Sequence, residues 1–213
     1  MIKAVALDIG ETLVSDTRFW AGWADWLGVP RHTVSALVGA VVSRGEDHTD
    51  AIRLLRPGLD MDAANAAREA SGRGDHLDET DLYPDVRPSL AALRQAGVRV
   101  VVAGNQTART AQLLRALDLP ADAVATSGEW GPAKPDPAFF AHLLEATRTP
   151  AAETLYVGDH PAEDIHPAKE AGLLTAHLRR GPWGHYWADD PLLIAAADFR
   201  VDSLTELPAL IDL

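Results

Sequence analysis

Short apolar runs recur along most of the chain, and each of them stops at a glycine or a polar residue. Six of these runs are rich in β-forming residues: 2–7, 98–103, 123–126, 154–157, 174–178 and 199–201. The first run alternates only weakly between apolar and polar positions, which is typical of a strand buried on both faces, as in parallel sheets. The pattern therefore predicts six strands, the last of them a short edge strand.

Helical spacing of apolar residues predicts helices between these strands, at 88–95, 107–117, 137–146 and 165–171. The third begins after Asp136, a favourable N-cap, with Pro137 at the first helical position. The first and the last are followed by Gly97 and Gly172, which are typical C-terminal caps. Strands that alternate with helices of this length predict βαβ units, and hence an α/β fold with a doubly wound, Rossmann-like parallel sheet.

One long segment, residues 15–82, interrupts this alternation. It contains three helical patterns, at 17–27, 31–43 and 60–70, and no strand pattern. We therefore predict a core domain formed by residues 1–14 and 83–213, with a small helical cap domain, residues 15–82, inserted after the first strand. The segment 181–187, which contains two glycines and two tryptophans, is predicted to be a loop.

Composition narrows the classes of function. A formal net charge of -12 and a pI near 5.0 argue against nucleic acid or an anionic membrane surface as the main partner. The absence of cysteine excludes disulfides and thiolate nucleophiles. The opening residues do not resemble a signal peptide, and no apolar stretch approaches a membrane span. These features predict a cytoplasmic protein and leave the oligomeric state open.

Polar side chains stand at the ends of the predicted strands. Asp8, Asn105 and Asp159 each follow an apolar run at or near its end, and the carboxyl ends of parallel strands meet at one edge of a sheet. Lys134 lies in a proline-rich turn before a helix, and we expect its ammonium to reach the same edge. Two carboxylates about 4 Å apart repel by roughly 4 kcal/mol at an effective dielectric constant of 20. That repulsion favours a metal and anion site.

Four segments in this order resemble the motifs of the haloacid dehalogenase superfamily, in its helical-cap subgroup. Their order and spacing fit that family over nearly the whole chain, and the helical insert falls where the family places its cap. The matching segments are Asp8-Ile9-Gly10-Glu11-Thr12, Ala103-Gly104-Asn105, Lys134-Pro135-Asp136-Pro137, and Gly158-Asp159 followed by Asp164.

The resemblance implies a Mg²⁺-dependent phosphohydrolase or phosphotransferase that acts on a small phosphorylated metabolite. Asp8 would attack phosphorus and become an aspartyl phosphate, which water then hydrolyses. It further implies that Mg²⁺ is bound by Asp8, the backbone carbonyl of Gly10 and Asp159, with Asp164 supporting the site. Lys134 would neutralise charge on Asp8 and on the phosphoryl group.

The resemblance also implies a phosphate-binding role for the segment after the second motif. Backbone N–H groups at Asn105 and Gln106, near a helix start, would bind phosphate oxygens together with Lys134. Thr107 can supply a hydroxyl to the same group, or it can serve as the N-cap of the following helix. Both roles for Thr107 stay open.

Two residues depart from the family pattern. Gly10 occupies the position where most phosphatases of the family carry a second aspartate, a general acid and base whose loss costs about 10²–10⁴ in rate. Gly104 lacks the hydroxyl that would bind phosphate. Three interpretations follow: Glu11 replaces the missing aspartate, the substrate has a good leaving group such as an acyl phosphate, or turnover is slow or lost.

Two rival functions follow from the same departures. Dehalogenases of the family also lack the second aspartate, although they carry tyrosine there and need no metal, so the intact Gly158-Asp159 segment disfavours this assignment. The other rival is a catalytically impaired member that acts as a binding or interaction protein. Restoring the acid with Gly10→Asp is expected to raise the turnover of alkyl phosphates.

Overall fold

Six parallel strands form a single sheet in the computed structural model, which describes residues 1–211. The strand order is β3-β2-β1-β4-β5-β6, so the chain starts inside the sheet and winds outward in both directions. The predicted α/β fold with a doubly wound parallel sheet is confirmed. The strands are β1 (Ala4–Leu7), β2 (Arg99–Gly104), β3 (Ala123–Thr126), β4 (Thr154–Gly158), β5 (Leu174–Leu178) and β6 (Phe199–Val201).

The helices fill the connections between the strands and the long insert. Within the described residues they are α1 (Thr17–Leu27), α2 (Arg31–Val42), α3 (Asp50–Leu55), α4 (Met61–Ala70), α5 (Val86–Gln95), α6 (Ala108–Ala116), α7 (Ser127–Trp130), α8 (Pro137–Thr147), α9 (His166–Glu170), α10 (Gly181–Tyr186) and α11 (Pro191–Ala196). A π-helical turn, Pro161–Ile165, leads into α9. No helix in the described part of the chain is long and apolar enough to cross a membrane.

Four helices, α3, α7, α10 and α11, differ from the sequence-based prediction. The segment 181–187 was predicted to be a loop, and this was wrong, because residues Gly181–Tyr186 form α10. Pro182 lies in its first turn, where a missing N–H costs nothing, and Trp183 is buried. Helices α3, α7 and α11 had no predicted counterpart, since segments of 6, 4 and 6 residues are too short to display helical periodicity.

Contacts divide the chain into two compact units. The core unit comprises Met1–Ser15 and Asp78–Leu213, and the helical unit comprises Asp16–Leu77. The helical unit contains α1 to α4; α1 packs against α2, and Trp23 of α1 is completely buried. The core unit contains all six strands.

The register of the central strands determines where the polar residues at their carboxyl ends lie. Leu7, the last residue of β1, is level with Val102 of β2 and Val157 of β4. The residues that follow these three positions therefore leave the sheet at the same edge. Behind that edge, Phe139 and Phe140 of α8 pack with residues of β1, β2 and β4 in one buried apolar cluster. Charged groups at the edge are thus backed by an environment of low dielectric constant.

Candidate active site

Three buried carboxylates meet at the carboxyl ends of β1 and β4. Asp8 follows β1 directly, Asp159 follows β4, and Asp164 lies in the π-helical turn after it. These residues are 7%, 4% and 0% exposed, and one oxygen from each lies within 4.8 Å of the other two. Positions far apart in the sequence thus converge on a space of a few ångströms.

A single ammonium group lies among these carboxylates. Lys134 Nζ is 2.6 Å from Asp8 Oδ1 and 2.5 Å from Asp164 Oδ1, and the lysine is 5% exposed. Three carboxylates and one ammonium give a formal charge of two negative units, 1 − 3, in a buried place. Such an excess is costly unless another cation offsets it.

The pKa shifts of Asp8 and Lys134 reflect this excess of negative charge. Burial raises the pKa of Asp8 to about 6, against the opposing effect of Lys134 and with a further contribution from Asp164. Burial alone would lower the pKa of Lys134, but Asp164 and Asp8 raise it well above its ordinary value. Lys134 is therefore a permanent cation, and Asp8 is the group whose charge is only partly compensated.

Two glycines make this close approach possible. A Cβ atom at position 104 would lie 2.5 Å from Asp8 Oδ1, and one at position 158 would lie 2.2 Å from Asp164 Oδ2. Both distances are far below van der Waals contact. A serine or threonine at Gly104 would therefore displace the Asp8 carboxylate. The present position of Asp8 thus requires a residue without a side chain at position 104, and hence without the hydroxyl.

The donor set fits a hard divalent cation. The ligand atoms that the cluster offers are carboxylate oxygens, the donors that Mg²⁺ and Ca²⁺ prefer, and thiolate ligands are excluded because the chain has no cysteine. One divalent cation would neutralise the two surplus negative charges of the cluster. The buried aspartate cluster can thus bind a metal.

A sequence model of the haloacid dehalogenase-like hydrolases matches residues 2–172, which include every member of this cluster. The chain belongs to the haloacid dehalogenase-like hydrolase family. The resemblance stated from four short motifs is thereby confirmed at the level of the family.

Relatives of this hydrolase are named as phosphatases. The chain is 34% identical to glyceraldehyde 3-phosphate phosphatase of Methanocaldococcus jannaschii over 59% of this chain and 54% of that protein. It is 33% identical to ribulose-1,5-bisphosphate 5-phosphatase of Halopiger xanaduensis over 98% of this chain and 90% of that protein. The chain spans only about half the length of the glyceraldehyde 3-phosphate phosphatases that it matches, 54% in each of two cases.

A solved structure confirms the fold. The HAD-hydrolase YfnB from Bacillus subtilis, solved bound to magnesium, superposes with a TM-score of 0.69 at 17% identity, covering 100% of this chain and 99% of that one. At 17% identity, the similarity shows a shared fold alone.

The segment after β2 is arranged around Lys134. The side-chain amide of Asn105 donates to the Lys134 carbonyl at 2.9 Å and to Glu163 at 3.2 Å, and its oxygen accepts from the Lys134 N–H at 2.7 Å. The Gln106 N–H donates to the Gly104 carbonyl at 3.0 Å. The Asn105 side chain therefore fastens the backbone of Lys134, and its role in phosphate binding stays a prediction.

Thr107 caps α6 in this hydrolase. Its hydroxyl accepts from the Thr110 N–H at 3.1 Å and lies 3.0 Å from the Thr110 hydroxyl. Gly10 lies in the loop after Asp8, where its backbone forms a bridge with Val14. Of the two roles considered for Thr107, the structure shows the N-cap. The predicted binding of the metal by the Gly10 carbonyl stays a prediction.

Two residues beside the cluster were not predicted. The Tyr156 hydroxyl lies 3.2 Å from Asp164 Oδ1, and Glu163 accepts from Asn105. Tyr156 belongs to the apolar run of β4, where an aromatic residue indicates only core packing, and Glu163 carries no distinguishing pattern. Adjacency to Asp164 along the chain was the one signal that pointed to Glu163.

Proposed function

We propose that this hydrolase is a Mg²⁺-dependent phosphatase of small phosphorylated metabolites, with Asp8 as nucleophile. The observation that carries the proposal is the buried cluster of three carboxylates and Lys134, in which Asp8 stands at the end of the central strand. Asp8, Asp159 and Asp164, with the Gly10 carbonyl, are the proposed ligands. The bound ion supplies positive charge that offsets the aspartates and the substrate phosphate.

The proposed reaction has two displacements. A carboxylate oxygen of Asp8 forms a bond to phosphorus while the bond from phosphorus to the leaving oxygen breaks, and the leaving group departs with the electron pair. A water molecule then attacks phosphorus, the aspartyl phosphate bond breaks, and inorganic phosphate and the Asp8 carboxylate are released. Lys134, held on Asp8 Oδ1, orients the carboxylate and stabilises charge on the transferring group.

Gly10 shapes the range of substrates in this proposal. Glycine has no group that protonates a leaving alkoxide, whereas the carboxylate that leaves an acyl phosphate needs no proton at neutral pH. Acyl phosphates and other esters with acidic leaving groups are therefore the favoured substrates. The names of the relatives point to small phosphorylated metabolites as the wider class, and the helical unit Asp16–Leu77 is the candidate cap that selects among them.

The test is release of inorganic phosphate from acetyl phosphate and p-nitrophenyl phosphate, with MgCl₂ or with EDTA. We expect turnover that requires Mg²⁺ and that Asp8→Asn lowers by at least about 10³-fold. Asp62→Asn is the matched control, because Asp62 lies in the helical unit, outside the cluster. Equal turnover in Asp8→Asn and Asp62→Asn would contradict the proposal.

Gly10 itself favours a second candidate, dehalogenation of a haloacid, because it removes the same aspartate that dehalogenases lack. The discriminating measurement is chloride release from chloropropionate in the presence of EDTA. Chloride release without phosphate release would replace the phosphatase assignment. Failure of both reactions, without any covalent adduct on Asp8, would indicate a binding or interaction protein.

Restoring the missing acid gives an independent test. Gly10→Asp is expected to raise the turnover of alkyl phosphates by about 10- to 100-fold, because the new carboxyl protonates the leaving group. Acetyl phosphate serves as the internal control, since its turnover needs no acid and should change by less than about 3-fold. An unchanged rate with alkyl phosphates in a folded variant would contradict this account of Gly10.

A further inference from the structure

The loop that follows Asp8 contains a residue in an unfavourable backbone conformation. Glu11 has φ 51°, in the left-handed region that non-glycine residues rarely adopt. The loop closes on itself, because the Glu11 N–H donates to the Val14 carbonyl at 2.7 Å and the Leu13 N–H donates to the Ile9 carbonyl at 2.9 Å. Conformations of this kind persist where surrounding contacts enforce them.

The Glu11 side chain supplies one such contact. The Tyr83 hydroxyl donates a hydrogen bond to its carboxylate, although the two residues are 72 positions apart in the sequence. Burial and the neighbouring Glu11 raise the pKa of Tyr83 above its ordinary value, so the phenol stays a donor at neutral pH. Gly181 packs against the same side chain, since a Cβ there would lie 2.5 Å from Glu11 Cβ.

Arg180 holds the next residue of the loop. Its guanidinium donates to the Thr12 carbonyl at 2.8 Å and to Asp85 at 2.6 Å, and its Cζ lies 4.1 Å from the centre of the Tyr83 ring. Asp85 in turn accepts from the Ser203 hydroxyl at 2.9 Å. The Arg180 and Asp85 side chains are only 11% and 14% exposed, so this ion pair is partly shielded from water.

These contacts restrain two consecutive residues of the loop, Glu11 and Thr12. Tyr83 binds the side chain of Glu11, and Arg180 binds the backbone of Thr12 while stacking on Tyr83. We propose that Tyr83 and Arg180 are positioning residues that fix the loop after Asp8, and that Glu11 is their anchor on that loop and not an acid or base. The proposal rests on the proposed phosphatase function, because it assigns these residues to the placement of its nucleophile.

The consequence concerns the vacant position at Gly10. Glu11 is next to it in the chain, and its replacement of the missing aspartate is one of the three interpretations drawn from the sequence. Its carboxylate, however, is the acceptor of the Tyr83 hydrogen bond, and turning it toward a leaving group would break that bond and release the loop. An anchor needs an oxygen that accepts, whereas a general acid needs a proton that it can donate.

That distinction gives the test. Glu11→Gln keeps an oxygen that accepts from Tyr83 but cannot transfer a proton, and Glu11→Ala removes the acceptor. We expect the kcat for acetyl phosphate to fall by less than about 3-fold in Glu11→Gln and by about 10-fold in both Glu11→Ala and Tyr83→Phe, with KM within about 2-fold. The double variant Glu11→Ala/Tyr83→Phe should be no slower than either single variant, since both remove one interaction.

The matched control is Tyr186→Phe, which makes the same chemical change at a tyrosine that is 60% exposed and outside the network. A Glu11→Gln variant as slow as Glu11→Ala, with one limb of the pH profile lost, would overturn the proposal in favour of acid or base catalysis by Glu11. Wild-type kcat in Tyr83→Phe would overturn it as well.

A second readout separates this inference from the proposed function. Amide hydrogen exchange of residues 9–14 in Tyr83→Phe should be faster than in the wild type and in Tyr186→Phe, because the loop is less restrained. Complete absence of phosphate release in the wild type would refute the phosphatase function but leave this measurement intact. Unchanged exchange in Tyr83→Phe would overturn the positioning role itself.

Discussion

Lys134 in the core unit and Arg68 in the helical unit are both buried cations, yet their surroundings differ in charge. Lys134 is 5% exposed and lies between Asp8 and Asp164, with Asp159 close by. Arg68 is 2% exposed, stacks on Trp23 at 4.3 Å and contacts the single carboxylate of Asp75 at 3.1 Å.

The difference separates a structural cation from one that belongs to a reactive site. The contacts of Arg68 pair one positive with one negative charge and add the face of an aromatic ring, so this cation is compensated within the protein. Lys134 leaves two negative charges over. An excess of this kind is costly in a buried place and favours the binding of a cation.

The largest effect is expected for Lys134→Met. Removing its ammonium takes away the cation that contacts the buried carboxylates of Asp8 and Asp164, which should lower the free energy of unfolding by about 3–5 kcal/mol in EDTA. Because Mg²⁺ supplies the missing charge, MgCl₂ should restore more stability to this variant than to the wild type. Urea unfolding with and without Mg²⁺ measures both, and a loss below about 1 kcal/mol in EDTA would show that the lysine is not needed to hold the carboxylates together.

The pH dependence of stability should carry the signature of Asp8. Burial raises its pKa from 3.8 to about 6, so the folded state holds this proton more tightly than the unfolded state. Its stabilising contribution is therefore complete below about pH 4 and is lost as the pH rises through about 6.

Asp8→Asn, which mimics the protonated acid, provides the reference. Without metal, the wild type should lose up to about 3 kcal/mol of stability relative to the variant between pH 4 and pH 7. Thermal unfolding of both proteins across that range measures the difference, and a constant gap would argue against the raised pKa.

A bound cation should stabilise the buried aspartate cluster by an amount that grows with the logarithm of its concentration above Kd. At a Mg²⁺ concentration about 100 times Kd, the folded state gains about 2.7 kcal/mol. Arg68→Met should retain this gain and Asp159→Asn should lose most of it, as titrations of Tm with MgCl₂ would reveal. The same gain in Asp159→Asn would place the ion elsewhere.

The smallest effect is expected for Arg68→Met itself. Methionine keeps much of the apolar contact with Trp23 but loses the ion pair and the stacking, at about 1–2 kcal/mol of stability. Turnover of acetyl phosphate should stay within about 2-fold, since the residue has no part in the reaction. Reduced turnover in a variant of wild-type stability would contradict a purely structural role.

The sheet was predictable because its strands are apolar runs that end abruptly. Each run stops where the chain leaves the sheet, so Asp8 and Asp159 could be assigned to one edge from the sequence. Helix α10 was missed because glycine, proline and tryptophan indicate a loop locally, whereas burial of Trp183 depends on tertiary contacts. Local composition does not encode such packing.

The site was predictable only in part, for a related reason. Asp8, Lys134, Asp159 and Asp164 stand in recognisable motifs, and the structure brings them together. The supporting contacts carry no motif, because the Asn105 and Glu163 pair spans 58 positions. Such contacts between distant segments follow from the folded geometry alone.

The central claim is that the Asp8 carboxylate, whose charge is only partly compensated by Lys134, is the nucleophile of a metal-assisted phosphoryl transfer. Its most direct test is the intact mass of the protein quenched in acid during turnover of acetyl phosphate. We expect a species heavier by one phosphoryl group in the wild type with Mg²⁺, absent with EDTA and in Asp8→Asn. Phosphate release without that species, or its persistence in Asp8→Asn, would show that Asp8 is not the nucleophile.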